Sequence, residues 1–351
     1  MNADKIEILK RMVRIRMVEL YVAQRYPEQK MRCPTHLCLG QEAAPAVCGC
    51  LAHRDDIFVG TCRSHGHYLA KGGDLTALFA ELLGSGKGCS RGLGGSMHLI
   101  DQDVNFWGTS AIVGGGIPIA AGAAFRLRYE NAPQIVVAFL GDAAIEEGVV
   151  YETANFALLH KLPLVFICEN NALAITTPIE LRQCSTVLHD RFQTMGMSSF
   201  YIAENDMAKL IQAVRVSYDR ARSGLGPTFI EYKVLRWCAH VGPVFEGPVE
   251  LWWQSPAAAS GGHSCPICIL RDQLIAEGTI DFEYIQSLRQ QVQREIEEAY
   301  QEAERDAEPI RQDPAAFVYA SGLAGELPGR TRPMHDVEFH HAEVSKLVNA
   351  F

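Results

Sequence analysis

Asp142 and the Asn170-Asn171 pair are the residues of this 351-residue chain whose types and spacing most directly suggest chemistry. One carboxylate and one amide oxygen, with backbone carbonyls nearby, are hard donors suited to a divalent cation that keeps a phosphate as co-ligand. Gly141 lets the backbone approach such a ligand, and the amides opening a following helix can hold phosphate oxygens. The elements that must position these groups are legible around them. Ile135 to Leu140 and Leu164 to Cys168 are continuous apolar runs of strand length. Between them Glu146 to His160 has helical length, acidic residues in its first turn and Lys161 just past its end. Runs apolar on both faces predict an α/β fold with a central, mostly parallel sheet and helices on both faces. In such a sheet both polar clusters sit at the carboxyl edge, where these folds bind ligands.

Further candidates lie upstream. Asp55 to Gly60 reads as a short strand, and Arg63 just past it, flanked by Gly60 and Gly66, can grip a phosphate. His36 stands in an uncharged loop before a helix, where a lone histidine is more often structural than catalytic. The glycine-rich Gly84 to Gly95 is read either as a phosphate cradle or as a connector. In Ser110 to Glu130, Pro118 suits a helix start, and Ala120 to Ala124 gives a face of minimal side chains suited to a buried core or a subunit contact.

Composition limits the class. The chain is 48% hydrophobic and 21% charged, and its formal charge of −9 argues against a nucleic-acid partner. The charged amino terminus is not a secretory signal, and the uncharged Val104 to Phe125 is interrupted by Asn105, Pro118 and three glycines, so no membrane segment is expected. Eleven cysteines without a signal point to reduced thiols in a cytoplasm. Cys265-Pro-Ile-Cys268 has metal or redox spacing but no matching second pair, and is read as free thiols. Helical periodicity is expected over Asp4–Gln24, Leu75–Leu83, Asp206–Arg222 and Asp281–Asp306. A strand is expected over Thr228–Val234, a mobile loop over Gly242–Gly262 with Trp252-Trp253 as anchor, and a short amphipathic helix over His340–Phe351.

With Gly141-Asp142 and Asn170-Asn171 in place, the chain resembles the alpha subunit of the thiamine-diphosphate-dependent decarboxylase component of 2-oxo acid dehydrogenase complexes. That family's thiamine motif is Gly-Asp-Gly followed some thirty residues on by Asn-Asn. The blocks Thr35-His36-Leu through Gly40-Gln41-Glu42-Ala43, Arg63-Ser-His-Gly66, Gly94-Gly95-Ser96-Met97-His98 and Arg236-Trp-Cys-Ala-His240 match in the same order. The resemblance implies a thiamine-diphosphate-binding fold over residues 1–321, with 322–351 a linker and tail outside it. It implies Mg²⁺ held by Asp142, Asn171 and the Leu173 carbonyl, and a diphosphate held by Arg63 and the amides of Ala143 and Ala144 beside Gly141. Ala111 and Val113 would meet the aminopyrimidine through their backbone, while His36 and His240 would face the thiazolium and substrate. It also implies a beta subunit supplying an activating glutamate in an α2β2 heterotetramer, a 2-oxo acid substrate, and a lipoyl domain or other carrier as acyl acceptor.

The departures are specific. Ala143 replaces the motif's third glycine. Cys62 stands where pyruvate-type members have a diphosphate-binding tyrosine, and Cys238 where the first histidine of a His-x-His pair stands. Val241 takes the place of a regulatory serine, and the Gly242–Gly262 stretch replaces a charged loop. These motivate an alternative, in which a transketolase-like relative moves a two-carbon ketol unit from a ketose or 2-oxo acid to another carrier. A nucleotide-binding oxidoreductase fails for want of a Gly-x-Gly-x-x-Gly after a first strand. A non-catalytic paralogue is opposed by the intact Asp142, Asn171, Arg63, His36 and His240.

Overall fold

The apolar runs do become parallel strands. In this computed structural model, which describes residues 2–31, 33–203, 206–244 and 265–307, the strands are β1 (Ile57–Val59), β2 (Phe106–Gly108), β3 (Val136–Gly141) and β4 (Leu164–Asn170). A two-stranded hairpin, β5 (Leu173–Ala174) and β6 (Thr177–Pro178), precedes β7 (Ser198–Ile202) and β8 (Thr228–Lys233). The main sheet runs β2-β1-β3-β4-β8-β7, and every pairing in it is parallel. Register aligns Gly141 with Glu169 and Glu169 with Tyr232, so the carboxyl ends of β3, β4 and β8 lie in one row. The chain passes from β1 outward to β2, then returns across β1 to β3 and continues the other way. The strand order therefore reverses between β1 and β3, and at that reversal a crevice opens at the carboxyl edge.

Alternate strand residues feed two cores. Val137, Phe139, Val165, Ile167 and Ile230 join one, with α1 (Asn2–Arg25), α2 (Ala43–Leu51), α3 (His65–Lys71) and α4 (Leu75–Leu82). Val136, Ala138, Leu140, Leu164, Phe166 and Phe229 join the other, with α5 (Gly116–Tyr129), α6 (Gly148–Leu159) and α7 (His189–Thr194). The helices α8 (Met207–Arg222), α9 (Pro266–Ala276) and α10 (Phe282–Arg305) complete the first layer. Helices thus cover both faces, as predicted, and each fully buried aliphatic or aromatic side chain contributes about 1.5–3 kcal/mol to that arrangement. Among the described residues no helix is long and apolar enough to cross a membrane.

Several local expectations are corrected. The predicted helix from Glu146 begins at Gly148, because a 3₁₀ turn over Asp142–Glu146 intervenes; Glu146 and Glu147 precede α6 rather than fill its first turn. Thr228–Lys233 is buried almost throughout instead of alternating, since β8 lies between β4 and β7. The small face of α5 (Ala120, Ala121, Ala123, Ala124) packs in its own core. A subunit contact on this helix must therefore use the opposite face, where Ile119, Phe125 and Tyr129 are exposed. The expected Gly242–Gly262 loop lies outside the described residues beyond position 244, as does everything expected over 322–351.

The glycine-rich segment is not a phosphate cradle. Its amides converge on an internal acceptor: Ser90 and Gly92 donate to one Glu81 carboxylate oxygen at 2.8 Å each, and Gly94 and Gly95 to the other at 2.7 and 2.8 Å. Glu81 is 1% exposed, so four donors satisfy an anion that water cannot reach. Glu81→Ala should cost about 3 kcal/mol, because buried amides left without an acceptor are expensive. Urea unfolding would show the loss, and hydrogen exchange should accelerate first at the amides of Ser90 to Gly95.

Candidate functional site

Five segments leave the sheet at its carboxyl edge and wall one cavity of about 500 Å³. After β1 come Gly60, Thr61, Cys62 and Arg63; after β2, Ser110 to Gly114; after β3, Gly141 to Ala144; after β4, Asn171 and Leu173 to Ile175; after β8, Arg236 and His240. His36 and Gln41 close it from the segment ahead of α2. Of the candidates named from the sequence, His36, Cys62, Arg63, Ala111, Val113, Gly141, Asp142, Ala143, Ala144, Asn171, Leu173 and His240 line this space, while Asn170 does not. The 3₁₀ turn, not α6, presents the Ala143 and Ala144 segment to it. A Cβ built on Gly141 meets nothing within 4 Å, so a side chain there would project into open space.

The floor is set by polar turns at the ends of β3 and β4. Asn170 accepts the Ala172 amide at 3.0 Å and Asn171 the Leu173 amide at 3.1 Å, a pair of side-chain turns that reverses the chain into the hairpin. That reversal holds Ala172 at φ +61° and Ile175 at φ +56°, left-handed backbone that non-glycine residues rarely adopt. Asn171 Nδ2 donates to Gln41 Oε1 at 2.9 Å, which fixes the amide so that its oxygen faces Leu173. Asp142 is 1% exposed, and burial raises its carboxyl above the ordinary value while the Arg182 guanidinium, bonded at 2.6 Å, pulls it back. Arg182 also pairs with Glu146 and donates to the Thr177 carbonyl.

The opposite wall carries the cation and the histidines. Arg63 is buried and hydrogen bonds only neutral or polarisable groups: the Leu37 carbonyl at 2.5 Å, the His240 carbonyl at 3.1 Å and His240 Nδ1 at 3.3 Å. No carboxylate pairs with it among the described residues, and burial lowers its pKa. Because a guanidinium only donates, His240 Nδ1 must accept, which leaves the ring proton on Nε2. The His36 and His240 rings meet edge to face at 4.7 Å. His36 Nδ1 is buried without a hydrogen-bond partner. The segment carrying His36 hangs on buried side chains: its own amide donates to Ser96 Oγ at 3.2 Å, and Ser96 is bonded to His65 at 2.7 Å, itself bonded to Glu19 at 2.6 Å.

Burial first, and the Arg63 charge next, hold His36 down to about 4 from 6.5, and the same two causes lower His240. Both rings are neutral at neutral pH. For His36 the sign is fixed: the unfolded chain takes up its proton near 6.5, the folded chain only near 4. Stability therefore falls as pH drops through that window. His36→Gln should flatten the unfolding free energy measured by urea titration between those two pH values.

The arrangement fits a metal-bound diphosphate. A buried cation without a carboxylate partner calls for an anion, a carboxylate–amide–carbonyl set suits Mg²⁺ rather than zinc, and the His36 and His240 side chains line the same space. Sequence reasoning did not assign Gln41, Glu169, Arg182 or Arg236 to this cavity or its rim. Glu169 lines it and is bonded to His67 at 2.8 Å; Arg236 donates to the Ile175 carbonyl at 2.7 Å. Gln41 and Arg236 belong to blocks that carried the resemblance, and Glu169 to the polar end of β4. Cys238 is buried and is not among the cavity residues, so that departure is a packing change.

Comparison with known proteins places this geometry. The family described as dehydrogenase E1 component matches residues 10–311. The chain is similar to the testis-specific, mitochondrial pyruvate dehydrogenase E1 component subunit alpha of Rattus norvegicus, with 32% identity over 327 residues, 93% of this chain and 82% of the relative. It is similar to the somatic form of Homo sapiens, at 30% over 326 residues with the same shares, and to the pyruvate dehydrogenase E1 component subunit alpha of Zymomonas mobilis, at 31% over 329 residues, 93% of this chain and 91% of the relative.

Proposed function

Because the chain belongs to the dehydrogenase E1 component family, we propose that it is the alpha subunit of a thiamine-diphosphate- and Mg²⁺-dependent 2-oxo acid decarboxylase. Such an enzyme cleaves the bond beside the carbonyl and passes the acyl unit to a lipoyl domain or another carrier. One observation carries the reading: the buried Arg63 cation, without a carboxylate of its own among the described residues, shares a cavity with Asp142 and Asn171. Asp142, Asn171 and the Leu173 carbonyl would hold the metal; Arg63 and the amides of Ala143 and Ala144 would hold the diphosphate, with Cys62 beside them. The backbone at Ala111 and Val113 would meet the aminopyrimidine. When bound, the cofactor supplies a carbon nucleophile and a sink for the electron pair that decarboxylation releases. The chain's own groups bind, orient and exclude water. Neutral His36 and His240, which line the same cavity, would exchange protons with the substrate, His240 offering Nε2–H.

The cavity lining is apolar and exposed at Ile112 and Val113, and the helices α5 and α6, which pack together just beyond, expose Ile119, Phe125, Phe156 and Leu159, with the Phe125 and Phe156 rings 5.5 Å apart. That surface fits a beta subunit bringing the activating glutamate to complete an α2β2 assembly. We take residues 1–321 as the cofactor-binding domain, in keeping with a family match that runs to residue 311, and 322–351 as a tail outside it. A cytoplasmic location is in keeping with eleven cysteines held as thiols.

The test is reconstitution with the beta-type partner and assay against pyruvate, branched-chain 2-oxo acids, acetoin and ketose phosphates. Decarboxylation of a 2-oxo acid that needs both subunits, the cofactor and Mg²⁺ is the expected result. Turnover of ketose phosphates alone would replace the donor by a ketol unit. Absence of metal-dependent cofactor binding, with and without the partner, would defeat the reading.

A further inference from the structure

Outside the set of cavity residues, two cysteines share the first turn of α9. Cys265 is the residue before the helix and Cys268 lies in its opening turn, with Pro266 between them at the first helical position. Their spacing is that of dithiols that close a disulfide within one helical turn. The Arg16 guanidinium, itself fully buried, reaches Cys265 Sγ at 3.6 Å from Nη1. Its other donors hold Glu42, and it lies 4.2 Å over the Trp237 ring. A cation, a helix amino terminus and a neighbouring thiol therefore converge on a single sulfur. Each of these favours a thiolate there.

We propose that Cys265 and Cys268 are a reversible dithiol–disulfide redox pair, with Cys265 the attacking sulfur and Cys268 the resolving one. The asymmetry has a physical cause. The Cys268 thiol donates to Cys265 and, with Arg16, draws the Cys265 thiol below its ordinary pKa against the effect of burial, while the same hydrogen bond and burial push Cys268 up. Both sulfurs are buried, which restricts the oxidant to a small one, and a hydroperoxide fits. With hydrogen peroxide the Cys265 thiolate attacks one oxygen, the O–O bond breaks, and hydroxide leaves to become water. Cys268 then displaces the resulting sulfenic hydroxyl, forms the S–S bond and loses its proton, and a second water departs. The two sulfurs give up two electrons and the peroxide takes them. A small dithiol returns the pair to its reduced state by exchange. Oxidation withdraws a sulfur acceptor from Arg16, which stacks on Trp237 beside the cavity residue Arg236.

The full chain, reduced and native, would be given graded hydrogen peroxide, quenched, alkylated after denaturation and mapped by mass. The expected result is a loss of two mass units across Cys265 and Cys268, reversed by dithiothreitol, at doses where the equally buried Cys48 and Cys168 remain alkylatable. The pair should react at least about tenfold faster than those two, since thiolate character sets the rate. In Cys268→Ser, which keeps a hydroxyl donor, dimedone added with the denaturing quench should trap a sulfenic acid at Cys265; in Cys265→Ser, Cys268 should stay unreacted. Oxidation of the pair only together with Cys48 and Cys168 would overturn the proposal, because that marks unfolding. Persistence of both thiols while exposed Cys184 oxidises would overturn it equally, and either result is readable on the wild-type chain without a variant.

Discussion

Asp142→Ala lowers affinity for thiamine diphosphate in the presence of Mg²⁺ at least about 100-fold, since loss of even an outer-shell partner of a metal ligand costs 10- to 100-fold. The fold persists. In the proposed site Asp142 would be the one carboxylate of the metal set, and the amide of Asn171 and the carbonyl of Leu173, which line the same cavity, carry no formal charge to replace it. Its contribution to stability is limited because burial disfavours its ionised form, against the pull of Arg182. Arg182 loses one partner but keeps Glu146 and the Thr177 carbonyl. The unfolding midpoint should move by no more than about 1–2 kcal/mol in free energy, within the ordinary range for single substitutions. Calorimetry with and without Mg²⁺ reads the first effect, and urea unfolding the second. A parallel variant, Arg182→Gln, removes a competing cation and no ligand, so metal affinity should hold or rise. Loss of metal binding in Arg182→Gln to the same degree as in Asp142→Ala would mean that Arg182 belongs to the binding set.

What the sequence revealed follows from distance along the chain. Asp142 and Asn171 were legible because each follows a strand apolar on both faces, and two such strands in parallel must deliver their ends to one edge. His36 and His240, some two hundred positions apart, were brought together only by the resemblance; no local pattern places their rings at 4.7 Å. Arg182 reads as an ordinary loop cation, because its meeting with Asp142 depends on a hairpin closed by Asn170 and Asn171 side chains at unusual backbone angles. The glycine-rich loop stayed ambiguous for a related reason. Its amides do cradle an anion, but the anion is Glu81 of the preceding helix, an acceptor that composition cannot distinguish from a phosphate. The strands β2 and β7 went unpredicted because one has three residues and the other, Ser-Ser-Phe-Tyr-Ile, is a partly exposed edge without a sustained apolar run. The start of α9 was hidden because a cysteine occupies the position where a serine or aspartate would have announced a helix.

The site's far wall rests on charges that never touch it, and breaking them should produce the largest loss of stability in the molecule. Arg16 and Glu42 are both 0% exposed and joined by two hydrogen bonds, Nε to Oε1 and Nη2 to Oε2, the latter at 2.8 Å. Glu42 Oε1 also accepts the Gly40 amide at 3.1 Å. Gly40 has φ +90°, and a Cβ there would come within 2.3 Å of the Leu235 carbonyl, so only glycine lets this turn lie against the segment that leads from β8 to Arg236. Glu42→Ala leaves a guanidinium and an amide in the core without their acceptor, and should cost about 3–5 kcal/mol. For a domain whose whole stability is about 5–15 kcal/mol, that is enough to make the chain thermolabile. The charge pair itself has little net worth, because both ions were desolvated to form it. The double variant Arg16→Met, Glu42→Leu should therefore recover most of the loss, with the remainder assigned to the Gly40 amide and to the stack on Trp237. Urea midpoints at unchanged m-values measure all three chains. A double variant as unstable as Glu42→Ala would mean that the ion pair holds the His36 segment by its hydrogen bonds and not merely by avoiding an unpaired charge.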